Sequence, residues 1–295
     1  MRGRALALLR LALLPLALLP AGARPAEAAV PPRRVVSLAP SLTEIVFALG
    51  AGGRLVGVTR YCDTPAAAKA LPKIGGMEDG SIDFERVLHL QPDLVLAIGE
   101  DQQTAVDTLK RLRARVEAIP SQTVEDALSA ITRVGELLGT REAAARLRGD
   151  LERRIARVQA AVAGLPAALK PRVFFEVWDR PLMTATRDAL AGRLIELAGG
   201  VNIFAGLSGR YVEVSPEAVL ERNPQVILAP DQHAKAVALE SLAKRPGLSQ
   251  VDAVKNGRVR LFNGNLISRP GPRIAEALER VGHALHPDLV PEPRP

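Results

Sequence analysis

The sequence predicts an α/β fold of two lobes, each a mostly parallel sheet flanked by helices, bridged by one long rigid helix. Three observations predict it. Short apolar runs alternate with amphipathic stretches, twice over, as they do in parallel sheets with helical crossovers. Between the two sets, residues 141–164 contain no proline and repeat Leu, Ile and Val every three or four positions. One small unit also occurs in both sets, "ERVLHLQPDLVLA" from Glu85 and "EAVLERNPQVILA" from Glu217, each with a proline seven residues after its glutamate. A chain of 295 residues has room for two ordinary domains.

The elements follow in order. Met1–Ala28 reads as a signal peptide: Arg2, Arg4 and Arg10 precede an apolar run from Leu11 to Leu19, and the small residues of "AEAA" end it. The run is too short to span a bilayer, and no cysteine near the cleavage site offers a lipid anchor. A soluble exported protein is therefore expected. "RRVVSLA" (Arg33–Ala39) reads as a strand, followed at once by a helix over "PSLTEIVFALG". Ser41 is placed as its N-cap, with Glu44 completing a capping box, and Gly50 as its stop. "LVGVT" (Leu55–Thr59) is the next strand, and a loop rich in Gly and Pro runs from Arg60 to Ser81.

In the repeated unit, Phe84, Val87 and Leu88 share one helix face, and Pro92 forbids the helix from continuing. "LVLAI" (Leu94–Ile98) is apolar at every position, as suits a parallel strand buried on both faces. "RVEAI" (Arg115–Ile119) is another strand. In residues 141–164, Leu147, Leu151, Ile155, Val158 and Val162 form one stripe, which predicts a helix of roughly 36 Å. The second set comprises a strand over "RVFFEVW" (Arg172–Trp178), a helix over Ala189–Gly200, the second copy of the unit, a strand over Arg258–Phe262 and a closing helix over Gly271–Leu285. The domain reading is then 1–28 signal peptide, 29–140 first lobe, 141–166 bridging helix and 167–295 second lobe. The pattern alone also admits one large sheet with the long helix packed on it.

Composition removes several classes of function. Apolar residues at 47% supply a core for each half, while aromatics at 3% exclude a large aromatic cage. The net charge of +7 falls to about +4 without residues 1–28, and the charges are dispersed, so no nucleic-acid-binding arm is present. The single cysteine, Cys62, excludes an intramolecular disulfide and reads as a small buried residue, with a reactive thiol as the alternative. There is no phosphate-binding glycine loop, no "GxSxG" and no "HExxH". His89, His233, His283 and His286 are scattered. The last two stand three apart on the closing helix, but no acidic or thiolate partner stands near them in sequence, so no metal site is expected.

What remains is a set of loops at strand ends, where open α/β sheets bind their ligands. They are "PSLTE", "RYCDTP" (Arg60–Pro65), "WDRPLMTA" (Trp178–Ala185), "GLSGRYVEVS" (Gly206–Ser215) and "GNLISRPGP" (Gly264–Pro272). Tyr61, Trp178 and Tyr211, all the Trp and Tyr of the chain, fall in or beside these loops. Ligand contact and plain packing are both open for each. Glu85 and Glu217 stand in the first turn of their helices, where the helix dipole alone would favour an acid.

"RVVSLAPSLTEIVFALG", "LVGVTRYCDTP", "LPKIGG", "ERVLHLQPDLVLA", "ELAGGVNIF" and "SRPGPRI" occur in an order that resembles class III periplasmic substrate-binding proteins. These serve ABC importers for cobalamin, haem and ferric siderophores. The resemblance runs from Arg33 to Pro287 and is most similar to the cobalamin-binding branch. It implies ligand capture between two lobes without catalysis, no cofactor of the protein's own, and a monomer that docks on a permease dimer. Pro40, Ser41, Leu42 and Thr43 would form one wall of the site. Tyr61 would pack on the corrin, Tyr211 stands where the other lobe usually offers a tryptophan, and Arg269 would lie at the rim. Met77 stands about where a cobalamin binder can carry tryptophan, and Asn265 where an acid can be found. Trp178 completes the candidate set. Glu85 and Glu217 would dock on arginines of the two permease subunits. The resemblance leaves haem and ferric siderophores as alternative ligands: Tyr61 could hold haem iron, and Arg60, Arg180, Arg210 and Arg269 could face a siderophore. A chelatase-type enzyme shares the two-lobe plan, but it wants a His–carboxylate pair that these loops lack.

Overall fold

The first half alternates strands and helices. It runs β1 (Val35–Ser37), α1 (Pro40–Ala48), β2 (Leu55–Val58), α2 (Phe84–His89), β3 (Leu94–Ile98), α3 (Gln103–Arg111), β4 (Val116–Ile119) and α4 (Val124–Leu137). Its strands form a wholly parallel sheet in the order β2-β1-β3-β4. Helix α5 (Arg141–Val162) follows. The computed structural model describes residues 30–77, 80–231 and 238–293, so the expected signal peptide and His233 lie outside the described residues. Pro31–Pro295 is one compact unit.

The second half begins with β5 (Arg172–Asp179), β6 (Leu182–Ala185), α6 (Leu190–Leu197), β7 (Val201–Asn202), β8 (Tyr211–Glu213), α7 (Pro216–Arg222) and β9 (Val226–Pro230). It ends with α8 (Leu239–Ala243), α9 (Asp252–Lys255), β10 (Val259–Phe262), α10 (Gly264–Ser268) and α11 (Ile274–Leu285). The sheet order is β10-β9-β5-β6-β8, with β7 also on β5. The β10, β9, β5 and β7 pairings are parallel, whereas β6 and β8 are antiparallel. The expected loop "WDRPLMTA" is therefore a β-hairpin, and the one around Tyr211 includes an edge strand. Likewise "GNLIS" is not loop but α10, capped by the Asn263 side chain.

The central strands β3 and β9 are buried at every residue, as their unbroken apolar runs require. The repeated unit appears as a helix and a strand in both halves. Asp83 caps α2 and Ser215 caps α7. Gln91 and Asn223 then take left-handed backbone, at φ 47° and 42°, just before the two prolines. A residue preceding proline is kept out of the right-handed helical region, so both helices end there.

Helix α5 buries Ala144, Leu151, Ile155, Val158 and Val162 and packs on α4 of the first half and α11 of the second. Arg154 clamps it to Glu279 of α11 through two hydrogen bonds of 2.9 and 2.6 Å. One hydrophobic cluster runs through both halves, from Val35 to Val290. Thr140 Oγ1 is buried without a hydrogen-bond partner at the start of α5. Among the described residues, no helix is long and apolar enough to cross a membrane.

Ser41 does not cap α1. Pro40 occupies the first turn, Ala39 is the extended N-cap residue, and no side chain caps the helix. Proline needs no N–H partner there and is pre-set for helical φ. Ser41 is thereby drawn inside the helix, and Glu44 is released from the expected capping box for another role.

Candidate functional site

A cleft of about 450 Å³ opens where carboxyl-end loops of the first sheet face the second half. Seven of the expected residues do line it: Pro40, Ser41, Tyr61, Met77, Tyr211, Asn265 and Arg269. Three do not. Leu42 and Thr43 follow Pro40 into α1 and are fully buried beneath the wall. Thr43 Oγ1 instead bonds Ser37 Oγ at 2.9 Å and Cys62 Sγ at 3.1 Å. Trp178 is half exposed on the hairpin, where its indole N–H donates to the Arg180 carbonyl at 2.9 Å. Glu85 and Glu217 are exposed and away from the cleft.

The two cleft tyrosines come from opposite halves. Tyr61 is 39% exposed and Tyr211 45%, so both rings remain accessible. The Arg60 guanidinium lies 5.1 Å from the Tyr61 ring centroid, in range of a cation–π contact. Tyr211 opens to the cleft on one side, while the surrounding walls displace water from its phenol. This burial, helped by the Asp101 charge and opposed by Arg210, raises its pKa.

Met77 is held by a partner that the sequence reading did not include. Gln102 is fully buried and donates Nε2 to the carbonyls of Leu38 (2.8 Å) and Met77 (2.9 Å). Its Oε1 accepts from the Ile98 N–H at 3.0 Å. One amide thus ties the Met77 loop to the ends of β1 and β3. Asp101, Ser121, Gln122, Ala189, Leu190, Ser268 and Pro270 also line the cleft without having been singled out.

Among the described residues, three arginines of the second half cross to pair with carboxylates of the first around this space. Arg210 grips Asp101 with bonds of 2.6 and 3.2 Å. Arg269 donates to Asp63 at 2.7 Å and to the Tyr61 carbonyl at 3.2 Å, while Asn265 Nδ2 meets Asp63 at 3.3 Å. Deeper, Arg273 forms a two-toothed pair with the buried Glu44, at 2.7 and 2.8 Å. At every crossing the carboxylate belongs to the first half and the guanidinium to the second. Burial pulls the Asp63 pKa upward, but hydrogen bonding and charge from Arg269, with local hydrogen bonds, outweigh it and hold the carboxyl below its usual value. The Asp101 hydrogen bonds likewise raise the Arg210 pKa against burial.

A larger concavity, about 670 Å³, lies beside β10 and α11. Of Phe, Tyr and Trp it is lined only by Phe262, which is buried. It therefore offers less to a flat apolar ligand than the smaller cleft. His283 and His286 do not converge on a metal. Their ring nitrogens face the carbonyls of Val290 and Gly199. Among the described residues, no group of three or more His, Cys, Asp or Glu could hold a metal ion.

Two α/β halves joined by one long helix, with an accessible cleft at facing strand ends, define a solute-binding protein of the class III architecture. The chain belongs to the periplasmic binding protein family, whose sequence pattern matches residues 35–265. That family carries solutes for transport, so the protein is not an enzyme. An uncharacterized ABC transporter substrate-binding lipoprotein of Bacillus subtilis, YvrC, is 32% identical over 268 residues, covering 88% of this chain and 82% of the relative. The crystal structure of the vitamin B12 binding protein BtuF of Vibrio cholerae superposes with a TM-score of 0.76 at 28% identity, covering 86% of this chain and 97% of that one. The heme-binding protein RhuT of Roseiflexus sp. RS-1, in apo form, superposes with a TM-score of 0.77 at 27% identity, covering 86% and 98%.

Proposed function

We propose that this protein is the exported, periplasmic solute-binding component of an ABC importer and that its solute is cobalamin, held in the cleft between Tyr61 and Tyr211. One observation carries the choice of ligand. The cleft offers an aromatic ring from each half, while two of its arginines, Arg210 and Arg269, are already paired with Asp101 and Asp63. Such a site suits a large flat ring whose periphery is neutral, as the amide-rimmed corrin of cobalamin is, because apolar contact with a few polar anchors supplies the binding. A siderophore relying on free arginines would have to break those pairs. The kinship with a vitamin B12 binding protein supports the same reading.

Haem is the second reading. The Tyr61 hydroxyl, which accepts from the Arg60 guanidinium at 3.5 Å, lines the cleft and offers an oxygen that could face haem iron. Heme-binding proteins of the same fold support it. Glu85 and Glu217 belong to the delivery step in either case. Each is an exposed first-turn acid on the equivalent helix of its half, so a twofold permease would meet one from each. Calorimetric titration of the mature protein with cyanocobalamin, haem and a ferric siderophore tests the ligand. Cobalamin binding at least tenfold tighter than the others is expected, and heat with haem alone would reject the first reading.

A further inference from the structure

The two outer crossings sit beside the two tyrosines. Arg210 precedes Tyr211 in the chain, and Arg269 donates to the carbonyl of Tyr61. A ring stacked on either phenol would bring its periphery against an ion pair that is already complete. Both terminal nitrogens of Arg210 are engaged by the two oxygens of Asp101. Arg269 is engaged by Asp63, by the Tyr61 carbonyl and, at 3.5 Å, by Glu44. Asn265 holds the second oxygen of Asp63 in place.

We propose that Asp101 and Asp63 are specificity-determining residues, internal counter-ions that fill the anion-binding faces of Arg210 and Arg269 and so select neutral ligands over carboxylate-bearing ligands of the same shape. The proposal rests on reading the cleft as a site for a large flat ring and adds what discriminates among such rings. An incoming carboxylate would compete with Asp101 or Asp63 for the guanidinium and meet a like charge at close range. This repulsive element is a familiar means of discriminating between similar partners. A guanidinium fork relieved of its carboxylate would bind the ligand's carboxylate through the same two-toothed geometry.

The test compares ligand pairs that differ only in charge: cyanocobalamin against its monocarboxylates, in which one amide is hydrolysed to the acid, and haem against its dimethyl ester. Calorimetry on the mature protein gives the neutral-to-acid affinity ratio. The wild type is expected to prefer the neutral member. Asp101→Asn is expected to move the ratio toward the acid, by about tenfold for a ligand carboxylate that reaches the freed Arg210, and Asp63→Asn in the same direction by less, because Glu44 still faces Arg269 at 3.5 Å; added salt should shrink both shifts. Arg210→Gln breaks the same crossing without freeing a cation and should not move the ratio toward the acid. An unchanged ratio in both Asn variants would overturn the proposal. So would equal affinity changes for both members of a pair, since the crossings would then be simple latches. If cobalamin fails to bind and haem binds, the cobalamin reading falls, and the haem pair still decides this one. A protein that binds neither ring overturns both.

Discussion

Replacing Arg273 by methionine isolates the deepest crossing. The Glu44 side chain is only 4% exposed and accepts two hydrogen bonds from Arg273, which is itself 30% exposed. Removing one partner of a buried pair costs about 3–5 kcal/mol, most of it from the stranded charge. Here Arg269 Nη1 remains 3.5 Å from Glu44 Oε1 and softens the loss. The accessible Arg273 side also admits water. The expected destabilisation is therefore lower, about 2–3 kcal/mol. Urea unfolding of the protein measures it as a shift in midpoint at constant slope. The double variant Glu44→Gln, Arg273→Met removes the stranded charge and should lose less than the two single changes combined, by at least about 1 kcal/mol. Strict additivity, or a loss below about 0.5 kcal/mol for Arg273→Met, would refute the reasoning.

Three further outcomes are expected. Gly192→Ala should lower the unfolding temperature measured by calorimetry, with a loss of about 2–3 kcal/mol, because an added Cβ would collide with the Thr186 carbonyl oxygen and lie 2.9 Å from Asn202 Nδ2. Burial, together with the Arg258 charge, lowers the His286 pKa below 6.5 despite its contact with the Gly199 carbonyl. The folded state thus disfavours the proton: this contribution to stability is complete above pH 6.5 and is lost as pH falls through the lowered value. Urea midpoints between about pH 5 and 8 should show that slope, and His286→Gln should flatten it. Glu85→Arg or Glu217→Arg should reduce transport into cells at least about tenfold, while calorimetry finds solute affinity unchanged; a fall in affinity would place these acids in the site or the fold.

The fold was legible wherever a periodic pattern reported on burial. The apolar runs of β3 and β9 and the stripe of α5 each follow from local sequence alone. Local rules failed where two of them competed. Ser41 and Glu44 match a capping box, yet Pro40 claims the first turn and displaces both. Trp178 stands next to a loop-like Asp-Arg-Pro, which turns out to be the tip of a hairpin that carries the indole away from the cleft. The crossings were illegible for a different reason. Arg269, Arg210 and Arg273 lie 206, 109 and 229 positions from their carboxylates, and no local spacing encodes a pair that only the packed halves create. Gln102 was missed likewise, since its buried amide matters only once the Met77 loop folds over it.

The hydrophobic cluster that passes without a break through both halves has a mechanical consequence. Prising the jaws apart must wet part of a shared core. At about 25 cal/mol per Å², each 100 Å² exposed costs about 2.5 kcal/mol, before any of the three charged crossings is undone. Thermal breathing that separates the halves is then rare, and the cleft keeps nearly one shape. Anything that pulls the halves apart has to supply that energy.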